Sequence, residues 1–122
     1  MNKKTVVLGA SVNTTRYSYL AISRLIDNKH SVRAVGRKSG EVNGVEICTS
    51  KKIFRDIDTI TLYLNKKNQV DFYSYIITLN PKRVIFNPGT ENTELEKLLS
   101  KNNIFFERAC TLVLLGIGEY WC

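Results

Sequence analysis

The residues of this chain best suited to chemistry are gathered in one early stretch, Val6-Val7-Leu8-Gly9-Ala10-Ser11-Val12-Asn13-Thr14-Thr15-Arg16-Tyr17-Ser18. Ser11, Asn13, Thr14, Thr15 and Ser18 bring side-chain donors, and Arg16 brings a fixed positive charge. The chemistry they suit is the binding of an anion. An apolar, β-branched run ends at Gly9, a short polar loop follows, and a helical pattern opens near Tyr17. Strand, glycine turn and helix start aim backbone N–H groups at one point. The first N–H groups of a helix have no internal partner, and the helix dipole makes them partly positive. The stretch reads as a phosphate- or diphosphate-binding loop. It carries one glycine where the dinucleotide fingerprint has three, so a plain strand-to-helix connection is the competing reading.

A second feature lies at the end of the next expected strand. Dinucleotide-binding folds place an acid there to hold the ribose hydroxyls. This chain has Arg37 and Lys38 instead. A basic pair in that place suits a phosphorylated ribose, as in NADP or coenzyme A. A solvated loop charge is the bland alternative.

Composition sets the frame for both. The chain has 122 residues, enough for one domain with a real core. A net charge of +7 favours anionic partners. The basic residues fall in dispersed pairs, such as Lys51-Lys52 and Lys66-Lys67, rather than in one run, which argues against nucleic acid. The apolar run after Lys4 is too short for a signal peptide, and no stretch approaches transmembrane length. A cytoplasmic protein without a membrane partner is expected. Cys48, Cys110 and Cys122 lack metal-ligand spacing, and His30 is the one histidine, so neither a zinc site nor a disulfide framework is expected. His30 is expected to be exposed in the turn Asn28-Lys29-His30, with Asn28 taking a left-handed conformation.

The elements that must position these residues alternate along the chain. Strands are expected at Thr5 to Leu8, Ser31 to Val35, Asp58 to Leu64, Arg83 to Phe86 and Asn103 to Glu107. A short edge strand is expected at Val45-Glu46-Ile47 after a turn at Gly44. Helices are expected at Arg16 to Asp27, with Ala21, Ile22, Leu25 and Ile26 as the apolar stripe, and at Glu91 to Lys101. A third is expected at Lys66 to Leu79, with Val70, Tyr73, Ile76 and Ile77 facing inward, and a single helical turn at Ser50 to Asp56. Asn80-Pro81 should close the helix before it. The apolar tail, Arg108 to Cys122, should pack back on the domain or on a partner subunit of a homo-oligomer.

Such alternation predicts an α/β fold: a doubly wound, mainly parallel, five-stranded sheet with helices on both faces. Its ligand crevice lies outside the carboxyl ends of the strands, where the strand order reverses. The first and fourth strands, Thr5 to Leu8 and Arg83 to Phe86, are expected to flank that point. The loops Gly9–Ser18 and Asn87–Thr90 would then converge there, with Arg37 and Lys38 beside them.

Four segments together resemble a known family. They are Val6 to Ser18, Asp58-Thr59-Ile60-Thr61, Pro88-Gly89-Thr90-Glu91-Asn92-Thr93-Glu94 and Arg108-Ala109-Cys110. The chain resembles the small CoA-binding domain proteins, single-domain relatives of the CoA-binding domain of succinyl-CoA synthetase α subunits. The resemblance runs to about Leu115 and implies a Rossmann-like fold with coenzyme A, or an acyl-CoA, as ligand. By that resemblance Gly9, Ala10, Ser11, Asn13, Arg16 and Ser18, with Tyr17 among them, hold the diphosphate region. Arg37 and Lys38 meet the ribose–adenine end. Leu64, Asn65, Asn87, Pro88 and Gly89 line the opposite wall. Two departures stand out. Small members often carry Asn-Pro near the end of the second strand, where this chain has Gly36-Arg37, and a proline directly after the cysteine that matches Cys110, where it has Thr111. The synthetase's phosphorylated histidine lies in a domain outside the resemblance, so no ligase chemistry is implied. No nucleophile with its base is evident, and a binding module is expected. The alternative from another class is an NADP-dependent oxidoreductase with Arg37 on the 2′-phosphate.

Overall fold

A computed structural model describes residues 2–120; Cys122 and the very end of the tail lie outside them. Three strands are buried at every residue: β1 (Thr5–Leu8), β5 (Thr59–Leu62) and β6 (Arg83–Phe86). Strands of that kind belong in the middle of a parallel sheet covered on both faces. The others are β2 (Val32–Val35), β3 (Gly40–Val42), β4 (Val45–Cys48) and β7 (Phe105–Arg108). They form one sheet in the order β3-β4-β2-β1-β5-β6-β7. All neighbours are parallel except β3 and β4.

The sheet therefore has seven strands, not the five expected. The additions come from a hairpin whose turn is Asn43-Gly44. Both residues have positive φ, 47° and 86°, the backbone that a two-residue hairpin turn demands. The order also corrects the expected switch point. β5 lies against β1, with Leu62 in register with Leu8, while β6 lies one strand further out. The strand order reverses between β1 and β5, the place where such sheets hold their ligand crevice.

Helix α1 (Tyr17–Asp27) covers one face, burying Ala21, Ile22 and Leu25, the last two in a cluster with Val7, Val32, Ala34 and Ile85. Asn28 does not take the left-handed backbone; Lys29 does, at φ 66°. The His30 N–H then donates to Leu25 O at 3.0 Å, which closes the helix and turns the next side chain inward. So His30, expected to be exposed, is 3% exposed. Its Nδ1 accepts from Lys3 N–H at 2.9 Å, and its ring meets the Tyr120 ring edge-on at 5.1 Å.

On the other face, the expected helix Lys66 to Leu79 is broken. It forms α2 (Lys66–Gln69), a 3-10 turn (Val70–Phe72) and α3 (Tyr73–Leu79). The tighter turn shifts the helical phase, so Val70 is exposed and Tyr75 joins Ile76 and Leu79 inside. Ser50 to Asp56 forms no helix; Phe54 anchors that irregular crossing in the core. Helix α4 (Thr93–Lys101) begins after Asn92, whose side chain caps it by accepting from Leu95 N–H at 3.3 Å. The last strand starts later than expected because Asn103 is left-handed, at φ 58°, and belongs to the helix end.

The tail turns back on its own chain. Helix α5 (Thr111–Gly116) packs against α1. Tyr120 is fully buried: its hydroxyl pairs with Thr5 Oγ1 at 2.7 Å, and the Arg83 guanidinium lies 4.5 Å from its ring centre. No described helix is long and apolar enough to cross a membrane.

Candidate functional site

The first loop is built by close backbone approach. Gly9 has φ 99°, and a Cβ there would lie 2.9 Å from the Tyr63 carbonyl carbon and 3.2 Å from Leu64 Cδ2. The N–H groups of Gly9 and Ala10 both donate to Val35 O, at 2.8 and 2.9 Å. A Cβ on Gly36 would lie 2.3 Å from Ala10 O, and one on Gly40 would lie 2.4 Å from Val12 Cγ1. The ends of β1 and β2 and the start of β3 are thereby pressed together beneath the loop. Gly36 is needed there because a side chain would have no room.

Beyond Ala10 the loop braces itself. Ser11 Oγ accepts from Asn13 N–H at 3.0 Å. Asn13 Oδ1 accepts from the Thr15 N–H at 3.0 Å and from its hydroxyl at 2.7 Å. The oxygens of Ser11 and Asn13 thus shape the loop. Ser18 is buried, at 3% exposure, while Tyr17 stands out at 71%. Arg16 occupies the N-cap of α1 in extended conformation with no side-chain cap bond. The first N–H groups of α1, at Tyr17 and Ser18, lack a helical acceptor, so the positive end of the helix dipole is uncapped. Arg16, Arg37 and Lys38 are exposed, and among the described residues none of the three enters an ion pair.

The opposite wall is a knit of buried polar groups that composition alone did not single out. Asn87 is 3% exposed. Its Nδ2 donates to Thr61 Oγ1 at 2.6 Å and to Leu62 O at 2.8 Å, and its Oδ1 accepts from Thr111 N–H at 2.9 Å. The Thr61 and Thr111 hydroxyls pair at 2.8 Å. Gln69 Nε2 donates to Leu64 O at 2.8 Å and to Thr90 O at 2.7 Å. Asn92 Nδ2 donates to Gln69 Oε1 and to the Tyr73 hydroxyl, both at 2.9 Å. The loops after β5 and β6 and the start of α5 form one rigid unit. Within it Leu64 leans over Gly9, and Asn65 caps α2 by accepting from Asn68 N–H at 2.9 Å. Pro88 and Gly89 are exposed, and Gly89, at φ 90°, faces open space.

Side-chain chemistry in this wall is muted. Tyr63 reaches beside Thr61 and Thr111, and burial raises its phenol far above the ordinary value, so it stays protonated. Arg108 grips Glu96 in two-pronged fashion, at 2.7 and 3.0 Å, and that bond raises its affinity for the proton. It fixes the end of β7, from which half-buried Cys110 leads into α5. Of the expected site residues, Gly9 and Leu64 are brought into contact, while Ala10, Arg16, Pro88 and Gly89 stand in the loops that follow β1 and β6. Of the polar residues in the wall, Asn65 and Asn87 are expected from the resemblance, whereas Thr61, Gln69, Asn92 and Thr111 carry no local signal that marks them as part of a wall.

A family model described as CoA binding domain matches residues 3–116. The chain belongs to the CoA binding domain family. Within that fold, a crystal structure of an uncharacterised protein is 51% identical, with TM-score 0.96, over 98% of this chain and 99% of that one. Cell-free ID.343 from Thermus thermophilus is 21% identical, with TM-score 0.85, over 97% and 90%. A hypothetical protein from Pyrococcus horikoshii OT3 is 24% identical, with TM-score 0.81, over 89% and 78%. The last two are alike in fold alone. Among curated proteins, none matches this chain.

Proposed function

We propose that this CoA binding domain protein is a binding module for coenzyme A or an acyl-CoA. The diphosphate lies against the N-terminal turn of α1, and the phosphorylated ribose lies near Arg37 and Lys38. The supporting observation is the uncapped start of α1 beside a switch point. Arg16, Arg37 and Lys38 are exposed and enter no ion pair among the described residues. An uncapped helix start with spare positive charge is suited to a polyphosphate. The side chain of Arg16 and the first N–H groups of α1, at Tyr17 and Ser18, meet the diphosphate, while Gly9 and Ala10, their N–H groups held by Val35 O, form the tight floor beneath it. Ser11 and Asn13 hold the loop in shape. Leu64, Asn65, Pro88 and Gly89 line the far wall, with Asn87 behind them as its brace. No acid stands at the end of β2 to favour an unphosphorylated ribose, which sets NAD apart from CoA and NADP.

The test is titration calorimetry of CoA and dephospho-CoA against the native protein and the Arg37→Ala/Lys38→Ala variant. The variant should lose about ten-fold in affinity for CoA, the scale of one charge-assisted hydrogen bond, and much less for dephospho-CoA. Equal losses for both ligands would detach these cations from the ribose phosphate. If NADP raised the melting temperature and CoA did not, the binding-module proposal would fall to the reductase.

A further inference from the structure

Away from the β1–β5 switch point, α2, the 3-10 turn and α3 run beside α4 and leave a groove of about 740 Å³ between them. Its floor is apolar: Val70 is 53% exposed there, and Leu98 packs on the core from below. Lys66 stands at one end, with Lys97 and Lys101 along α4. Those last two are four residues apart, hence on one helix face and about 6 Å apart along the axis. None of the three lysines enters an ion pair among the described residues. The groove's acid, Glu94, accepts the Tyr73 hydroxyl at 2.9 Å. Tyr73 in turn accepts from Asn92, which is tied to Gln69. The walls are therefore set before anything binds, which lowers the entropic cost of association.

We propose that this groove docks an acidic segment of a partner protein, one in which carboxylates flank an apolar side chain. Three unpaired lysines around a preformed apolar floor complement that pattern in charge and in hydrophobicity. A nucleic acid fits less well. Tyr73, the one aromatic residue lining the groove, is partly packed on the core and has its hydroxyl held by Glu94 and Asn92, so it is a poor platform for stacked bases.

The experiment titrates the ¹⁵N-labelled full chain with a short capped peptide in which glutamates flank a leucine and a phenylalanine. Amide shifts should move at Lys66, Val70, Tyr73, Lys97, Leu98 and Lys101. Lys97→Glu/Lys101→Glu should weaken the peptide by about ten-fold or more, with the circular dichroism spectrum checking the fold. Lys29→Glu/Lys82→Glu makes the same change in net charge elsewhere and should shift affinity by less than about two-fold. If the reversal disturbed the fold, Lys97→Gln/Lys101→Gln would take its place with the same expected direction. Equal losses in the groove and control variants would overturn the proposal. So would shifts centred on Arg16, Arg37 and Lys38, or undiminished binding of a peptide with glutamine for glutamate. Tighter occupation of the same groove by oligo-RNA or by phosphatidylserine vesicles would overturn it as well. None of these outcomes depends on whether CoA binds.

Discussion

Gly9 shows how a residue proposed for the site is already demanded by the fold. Its positive φ and the 2.9 Å approach of an added Cβ to the Tyr63 backbone make any side chain costly before a ligand is considered. Gly9→Ala should lose about 1–3 kcal/mol of stability through strain at that backbone position, measurable by urea unfolding. Gly89 has a similar φ, but open space beyond it. Gly89→Ala should therefore cost clearly less than Gly9→Ala. Equal losses in the two variants would show that backbone conformation alone, and not the Tyr63 contact, makes glycine necessary at position 9. Gly9→Val is correspondingly a poor probe of binding, since it disturbs the β1–β5 seam as well as the loop.

At the scale of elements, the far wall of the crevice is held by Asn87 rather than by a strand or a helix. One buried amide joins β5, the loop after β6 and the first turn of α5. Asn87→Leu should leave the Thr111 N–H and Leu62 carbonyl short of partners, at about 1–3 kcal/mol for each buried group so abandoned. Chemical denaturation reads the total. Faster hydrogen exchange at the start of α5 would place the damage where the amide acts. Unchanged exchange there would mean that α5 is held by its packing on α1 instead.

For the whole molecule, segments distant in sequence meet at His30, Lys3 on one side and Tyr120 on the other. Its Nδ1 accepts a hydrogen bond, so the fold needs that nitrogen unprotonated. Burial first, then the chain's amino terminus and Lys3, depress its pKa, with Asp58 opposing and Arg83 assisting. The unfolded chain, with His30 near its ordinary value of about 6.5, binds more protons than the native state just below that pH. The stabilisation is thus full above about pH 6.5 and is lost as pH falls through that value toward the depressed native one. Melting temperature should fall between pH 7 and pH 5, and His30→Asn should flatten the slope. Parallel slopes in the two proteins would assign the loss to carboxylates. The charge of +7 carries a separate consequence. CoA affinity should decline with added salt, as screening weakens every cation–phosphate contact. Affinity that stayed flat in calorimetry across ionic strengths would shift the binding energy to apolar contacts.

The sequence by itself determined what short-range physics controls. Apolar β-branched runs between helical stripes specify the α/β class, a glycine after the first run specifies its turn, and Asn80-Pro81 ends the helix before it. Arg37 and Lys38 at the end of β2 were legible because strand ends and charge are local properties. The tertiary structure decided whatever depends on partners far along the chain. Strand order is one case: only packing sets β5, not β6, against β1. The phase of the helix after Asn65 is another, because Gln69 turns inward to reach the backbone of Leu64 and Thr90. His30 is buried because Tyr120 returns from the far end of the chain to cover it. Asn87 is spent inside the wall because Thr61 and Thr111 meet there. A polar residue in a loop has the same local signature whether it faces a ligand or braces the scaffold behind it. Only the fold supplies the partners that distinguish the two.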